Sequence, residues 1–290
     1  MPAHVAKRRT APIGVFDSGV GGLTVLRALR AALPLEDFIY LGDTARLPYG
    51  TKSGDTVMRY ALQASRVLVA RSIKCLVVAC NTASAVSLPA MRAAFGELPI
   101  VGVIEPGASA VCAASRSGRI AVIATDGTVR GGAYETAILA RRPDARVTSL
   151  ACQVFVALAE EGWTSGAVAR EAAHRYLADL FERRESERPD AMVLGCTHFP
   201  MLIEPIRAAV GEGVAIVDSA ATTAAAVRAR LQELDQLVHH AATDAQPGEG
   251  RLTLLATDGP ERFARVGSAF LGEPIGAGQI ELVDLQSGSP

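Results

Sequence analysis

Two cysteines stand in closely matching contexts. Cys80 closes the run Cys75-Leu-Val-Val-Ala-Cys80 and is followed by Asn81-Thr82-Ala83-Ser84. Cys196 closes Ala191-Met-Val-Leu-Gly-Cys196 and is followed by Thr197-His198-Phe199-Pro200. Each reads as a buried strand, a thiol at its carboxyl end and a helix N-terminus just beyond. The positive end of a helix dipole favours the thiolate at such a place. Two thiols facing one small molecule suit the transfer of a proton from one face of a carbon to the other. One acts as base while the other carries a proton, and they exchange roles with direction. A free thiol has a pKa of about 8.5 and is only a few per cent thiolate near pH 7, so it needs an acid–base neighbour. Asp17 near one cysteine and His198 near the other are candidates, aided by Glu160.

Plainer readings of the same residues compete. Buried free cysteines are common core residues. Cys80, Cys196 and His198 could be zinc ligands, although no C-x₂-C pair or evident fourth ligand accompanies them. Cys196 and His198 could be the nucleophile and base of a hydrolase, which leaves Cys80 without a role. A cleft that binds an amino acid without transforming it is a further alternative.

Other polar residues cluster after apolar runs. Asp17-Ser18-Gly19-Val20-Gly21-Gly22 is a Gly-rich turn with no Walker lysine and no GxGxxG spacing. It suits the binding of a small carboxylate by backbone N–H groups, with Asp17 as acid, base or ammonium partner. Asn81, Thr82 and Thr197 suit N-caps, a role compatible with holding carboxylates. Thr125 follows another apolar run and is a candidate substrate contact. Pro48-Tyr49-Gly50, taken alone, reads as a turn. His174 reads as structural and His239-His240 as solvated. Cys75, Cys112 and Cys152 lack the polar continuation and read as packing residues.

The elements that must position these groups alternate. Strands are expected at 13–16, 38–41, 75–79, 100–104, 120–124, 191–194, 214–217 and 252–256. Helices are expected at 23–32, 53–71, 83–95, 131–140, 165–184 and 220–234. Unbroken apolar strands alternating with helices indicate parallel sheets covered on both faces. The expected fold is therefore α/β, with two pseudo-symmetric parallel-sheet domains and the active site in the cleft between them. Pro106 and Gly107 mark one crossing, and a second falls near 212–218. The division is 12–104 plus 216–275 for the domain carrying Asp17 and Cys80, with 105–215 inserted and carrying Cys196. Ligands of open α/β sheets bind beyond the carboxyl ends of strands, where these polar clusters fall.

Composition sets bounds on function. The chain has 290 residues, 49% of them hydrophobic and 20% charged, so a large core is available. A net charge of −1 gives no electrostatic reason for nucleic-acid or membrane partners. No apolar stretch approaches the ~18 residues that span a bilayer. The basic start lacks the apolar core of a signal peptide, and 1–11 and 286–290 are expected as flexible tails. Five cysteines without framework spacing suit a cytoplasmic protein with reduced thiols. The three lysines, Lys7, Lys52 and Lys74, argue against a Schiff-base cofactor. No cofactor and no metal are expected.

The segments GVFDSGVGGL (14–23), LGDTARLPYG (41–50), ACNTAS (79–84), VIEPG (103–107) and GCTHFPML (195–202) together resemble the bacterial glutamate racemase family. That family lies within the aspartate/glutamate racemase superfamily, and the matches keep its order across 13–219. The resemblance implies cofactor-independent interconversion of L- and D-glutamate, supplying D-glutamate for peptidoglycan, with aspartate as the alternative substrate. It implies that Cys80 acts on the D-enantiomer, assisted by Asp17, and Cys196 on the L-enantiomer, assisted by His198. It implies substrate contacts at Asp17, Ser18, Tyr49, Gly50, Asn81, Thr82, Thr197 and His198. A third carboxylate of the family falls on Glu160, with Glu161 beside it. Here the chain departs from the family, which would place proline at Gln153 and Ala157. A homodimer is an assembly the resemblance allows.

Overall fold

The computed structural model describes residues 9–184, 186–238 and 250–285. Its strands form two sheets, and every neighbouring pair is parallel. The first contains β1 (Ile13–Asp17), β2 (Phe38–Gly42), β3 (Cys75–Val78), β4 (Ile100–Gly102), β9 (Leu252–Ala256) and β10 (Ile280–Leu282), in the order β10-β9-β2-β1-β3-β4. The second contains β5 (Arg119–Ala124), β6 (Arg146–Ala151), β7 (Ala191–Gly195) and β8 (Ala215–Asp218), in the order β6-β5-β7-β8.

The central strands β1, β2, β3 and β7 are buried at every residue. This is why they read as continuous apolar runs instead of alternating ones. Helices cover them. In α1 (Leu23–Ala32), Leu23, Val25, Leu26 and Leu29 are buried, each side chain contributing about 1.5–3 kcal/mol by leaving water. Helix α2 (Gly54–Ala70) starts where the Ser53 side chain accepts from the Thr56 N–H, an ordinary N-cap. Helix α3 (Asn81–Phe95) begins directly after Cys80.

The chain passes from the first sheet to the second between β4 and α4 (Ile104–Ala114). Pro106 does not break this segment. It sits in the first turn of α4, where a missing N–H costs nothing. For the same reason β4 stops at Gly102, short of the expected 104. The return crossing follows Asp218, whose side chain caps α10 (Ser219–Glu233) by accepting from the Ala220 N–H at 2.8 Å. The strand β8 thus sits in the second sheet, across the expected boundary at 216. On the first sheet β10 lies beyond the expected end at 275.

Residues 9–11, expected within a flexible tail, are tied down. Lys74 Nζ donates to the Arg9 carbonyl at 2.6 Å and the Gln236 carbonyl at 2.8 Å, and pairs with Glu36. Arg9 also pairs with Asp235. Residues 1–8, 286–290 and His239-His240 lie outside the described residues. Among the described residues, no helix is long and apolar enough to cross a membrane.

Candidate active site

The loops that leave the carboxyl ends of the strands converge between the two sheets. A narrow cavity of about 40 Å³ lies there. The first lobe lines it with Ser18, Gly19, Tyr49, Gly50, Cys80, Asn81 and Thr82. The second lobe adds Thr125, Gln153, Val156, Glu160, Cys196, Thr197 and His198. A larger cavity of about 750 Å³ opens at the amino ends of β1 and β3 and is lined by neither cysteine nor histidine.

Cys80 is the N-cap of α3, and its Sγ accepts from the Ala83 N–H at 3.4 Å. Its thiol donates to Ser18 Oγ at 3.6 Å. The helix end alone would favour the thiolate, as the sequence suggested, but two other effects win. Burial pushes the Cys80 thiol up to about 12, and the neighbouring Asp17 carboxylate acts in the same direction. Asp17, 1% exposed at the end of β1, lies behind the cavity wall. Burial raises its carboxyl above the usual range against the pull of His198 and three backbone N–H groups. Asp17 Oδ2 accepts from the Gly19 N–H at 3.0 Å, while Oδ1 has no partner.

Cys196 follows β7 but does not cap an α-helix. Pro200 and its neighbours form a 3₁₀ turn (Phe199–Leu202) before α9 (Ile203–Val210). The local partner of Cys196 is an imidazole. His198 Nδ1 lies 3.8 Å from Cys196 Sγ and its Nε2 lies 3.1 Å from Glu160 Oε1. Burial opposes the imidazolium, but the contacts with Cys196 and Glu160 outweigh it and raise His198. Glu160 closes α7 (Val154–Glu160) and also accepts from Arg262 Nη2 through Oε2 at 2.7 Å. These two partners overcome its burial and hold its carboxyl below the usual range. The adjacent Glu161 is exposed, so Glu160 is the carboxylate that faces the site.

Asn81 Oδ1 accepts from the Tyr134 hydroxyl at 2.8 Å, leaving Asn81 Nδ2 buried without a partner. Thr82 Oγ1 shares hydrogen bonds with Thr125 Oγ1 at 3.0 Å and Thr128 Oγ1 at 3.1 Å, joining the lobes. The Thr24 hydroxyl donates across the cleft to the Thr197 carbonyl at 3.2 Å. Tyr49 lines the cavity as expected of a substrate contact. Its hydroxyl donates to Asp43 Oδ2 inside the first lobe. Asp43 also binds Arg46 and the Thr257 hydroxyl, which fixes the 43–50 loop.

Among the described residues, no cluster of His, Cys, Asp and Glu could hold a metal ion. Cys75 and Cys152 are buried, with thiols pushed up to about 12 by burial, and Cys112 is half-buried. His174 pairs with Glu182 on the exposed face of α8 (Gly166–Phe181). Sequence reasoning did not single out Arg262 or Tyr134, and it gave Asp43 and Thr128, in polar stretches after strands, no role of their own. The position of Arg262 in Thr257-Asp-Gly-Pro-Glu-Arg262, just past an apolar strand, was the available signal.

Parallel sheets that bring two thiols to one narrow cleft define a class of two-lobed α/β protein with its candidate site between the lobes. Comparison with known proteins gives the family. Residues 22–227 match the family model described as Asp/Glu/Hydantoin racemase. A glutamate racemase of Geobacter metallireducens is 49% identical over 264 residues, spanning 91% of this chain and 94% of its own. The crystal structure of a Francisella tularensis glutamate racemase in complex with D-glutamate superposes with a TM-score of 0.84 at 34% identity, covering 96% of this chain and 99% of that one. A Thermus thermophilus glutamate racemase, in complex with beta-chloro-D-alanine, gives 0.82 at 40% identity over 96% and 98%. The chain belongs to the Asp/Glu/hydantoin racemase family and is an isomerase.

Proposed function

We propose that this protein interconverts L- and D-glutamate by two-base proton transfer without a cofactor, in the cytoplasm, and so supplies D-glutamate for peptidoglycan. The observation that carries the reading is the pair Cys80 and Cys196, one from each lobe, lining one cavity at the carboxyl ends of β3 and β7. The near relatives named glutamate racemase, one with D-glutamate bound, support the choice of substrate.

The unequal surroundings of the thiols support different starting roles. Cys80, buried beside Asp17, holds its proton. In this reading Cys196, whose Sγ lies 3.8 Å from His198 Nδ1, starts as the base. With L-glutamate, Cys196 Sγ takes the α-proton and the electron pair stays on the α-carbon. Cys80 Sγ–H then delivers its proton to the opposite face, giving D-glutamate. Cys80 is left as thiolate and Cys196 as thiol, the state that accepts D-glutamate for the reverse reaction. Asp17 and His198 exchange protons with their cysteines between turnovers. The carbanion has no electron sink, so stabilisation must come from donors around the α-carboxylate. Asn81 Nδ2, the hydroxyls of Thr82 and Thr197, and backbone N–H groups after Asp17 are the candidate donors. Leaving a donor such as Asn81 Nδ2 buried and unpaired costs about 1–3 kcal/mol, which a bound carboxylate would offset.

The test is proton NMR of D-glutamate with purified protein in D₂O, with chirality followed by circular dichroism. Loss of both the α-proton signal and optical activity is expected. Cys80→Ala and Cys196→Ala should each lower racemisation by at least about 10²–10⁴-fold, the usual contribution of a general acid or base. Near wild-type turnover in either variant would sink the two-base assignment. Faster exchange of aspartate than of glutamate would move the substrate to aspartate.

A further inference from the structure

Glu160 is held from two lobes. Its Oε1 meets His198 Nε2 at 3.1 Å within the second lobe. Its Oε2 accepts from Arg262 Nη2 at 2.7 Å. Arg262 stands in the first turn of α11 (Pro260–Leu271), a helix that follows β9 and packs on α1 in the first lobe. Phe270 of the same helix sets its ring edge-on to His198, with centroids 5.1 Å apart. One helix of the first lobe therefore touches both members of the acid–base pair that serves Cys196 in the second.

We propose that Arg262 is a positioning residue of this site: from the first lobe it fixes Glu160 so that Oε1 faces His198, and the proton-transfer side containing Cys196 is complete only with that cross-lobe contact. The proposal rests on the racemase reading above. A carboxylate with one partner can turn about its terminal torsion, which is broad for glutamate. A carboxylate with a donor on each oxygen cannot turn without losing one of them. The guanidinium keeps its charge over the whole working pH range. The other titratable groups bearing on the pair are Cys196 beside His198 Nδ1 and Asp17, whose carboxyl is coupled to His198 from the end of β1. Arg262 is 49% exposed and Glu160 13%. Salt should therefore weaken the contact without removing its geometry.

The experiment compares Arg262→Met, which keeps bulk and loses charge, with Arg262→Lys. Circular dichroism first checks that both are folded. In Arg262→Met, Glu160 is no longer held low by the guanidinium and takes up a proton more readily, so the acid limb of the kcat/KM profile for glutamate should move up by about half to one pH unit, and the plateau should fall about three- to tenfold, the range of one weakened charged contact. Arg262→Lys should restore the limb. High salt should move the wild-type limb toward that of Arg262→Met and leave the variant unmoved. The imidazole of His198 is followed in substrate-free protein by nitrogen-15 NMR, assigned by its absence in His198→Gln. It should titrate at lower pH in Arg262→Met, because a turned Glu160 no longer supports the imidazolium. An unshifted acid limb, or a His198 titration that rises because a repelling charge has gone, overturns the proposal. Wild-type protein that leaves glutamate unchanged would defeat the racemase reading, and the His198 titration would still decide the role of Arg262.

Discussion

Cys80 shares a buried corner with Asp17 and Ser18, whereas Cys196 faces His198, Glu160 and, through them, Arg262. The Glu160–His198 pair should also leave a mark on stability. His198 is raised in the folded protein, so its contribution is fully present below its ordinary value of 6.5 and is lost as pH rises through the folded value. Glu160 is lowered, so its contribution is present above its ordinary value of 4.5 and is lost as pH falls through the folded value. The two coincide between these ordinary values. Glu160→Gln should cost about 1.5–3 kcal/mol in that window, as expected for a hydrogen bond to a charged group. The cost should shrink as the solution is made alkaline. Urea unfolding at pH 5.5 and pH 9.5 checks this, and an equal loss at both would refute it. The two cysteines and His198 were legible in sequence because an apolar run marks each strand end. The upward push on the Cys80 thiol was not legible, since it comes from burial and from Asp17 on a different strand.

Several of the secondary elements that were missed were hidden for separate physical reasons. Strand β6 is an edge strand with half its residues exposed, so no apolar run announces it. Helix α4 was hidden by Pro106 and Gly107, which look like a break but fit a first turn. Helix α11 reads as polar because one face is solvated, yet Phe263, Val266 and Phe270 line its buried face. The glycine-rich turn before α1 was seen, but its close approach to the other lobe was not. A Cβ at Gly21 would stand 2.4 Å from both Thr197 Oγ1 and His198 Cε1. Gly21→Ala should therefore push His198 out of place and lower kcat/KM by about 10²-fold, the scale of a misplacement near 1 Å. Its fold should survive, because the conflict lies across the cleft and outside either core. A variant with unchanged kcat/KM would show that the lobes stand further apart in turnover.

At the scale of the molecule, the two-sheet α/β architecture was legible from strand–helix alternation, while sheet order was not. Nothing local in Leu252–Ala256 says that it pairs with β2, more than two hundred residues earlier. The buried Lys74–Glu36 pair, with the carbonyls of Arg9 and Gln236, ties the start of the first lobe to the stretch after α10 at the far side from the chemistry. Breaking one partner of such a pair typically costs several kcal/mol. The long-range pairing of β9 also sets an order of events during synthesis. The second sheet is built from one continuous stretch of chain, whereas the first must wait for β9 and β10 to leave the ribosome. Domains generally fold as units while the chain emerges, so the lobe made in the middle should mature before the lobe that begins the chain. Chains stalled before residue 252 should show protease resistance over 119–218 and little over 13–102; resistance of both stretches alike would contradict this order. The helix bearing Arg262 and Phe270 emerges well after both cysteine-bearing strands. A nascent chain would then hold both cysteines for some time without the helix that completes their surroundings.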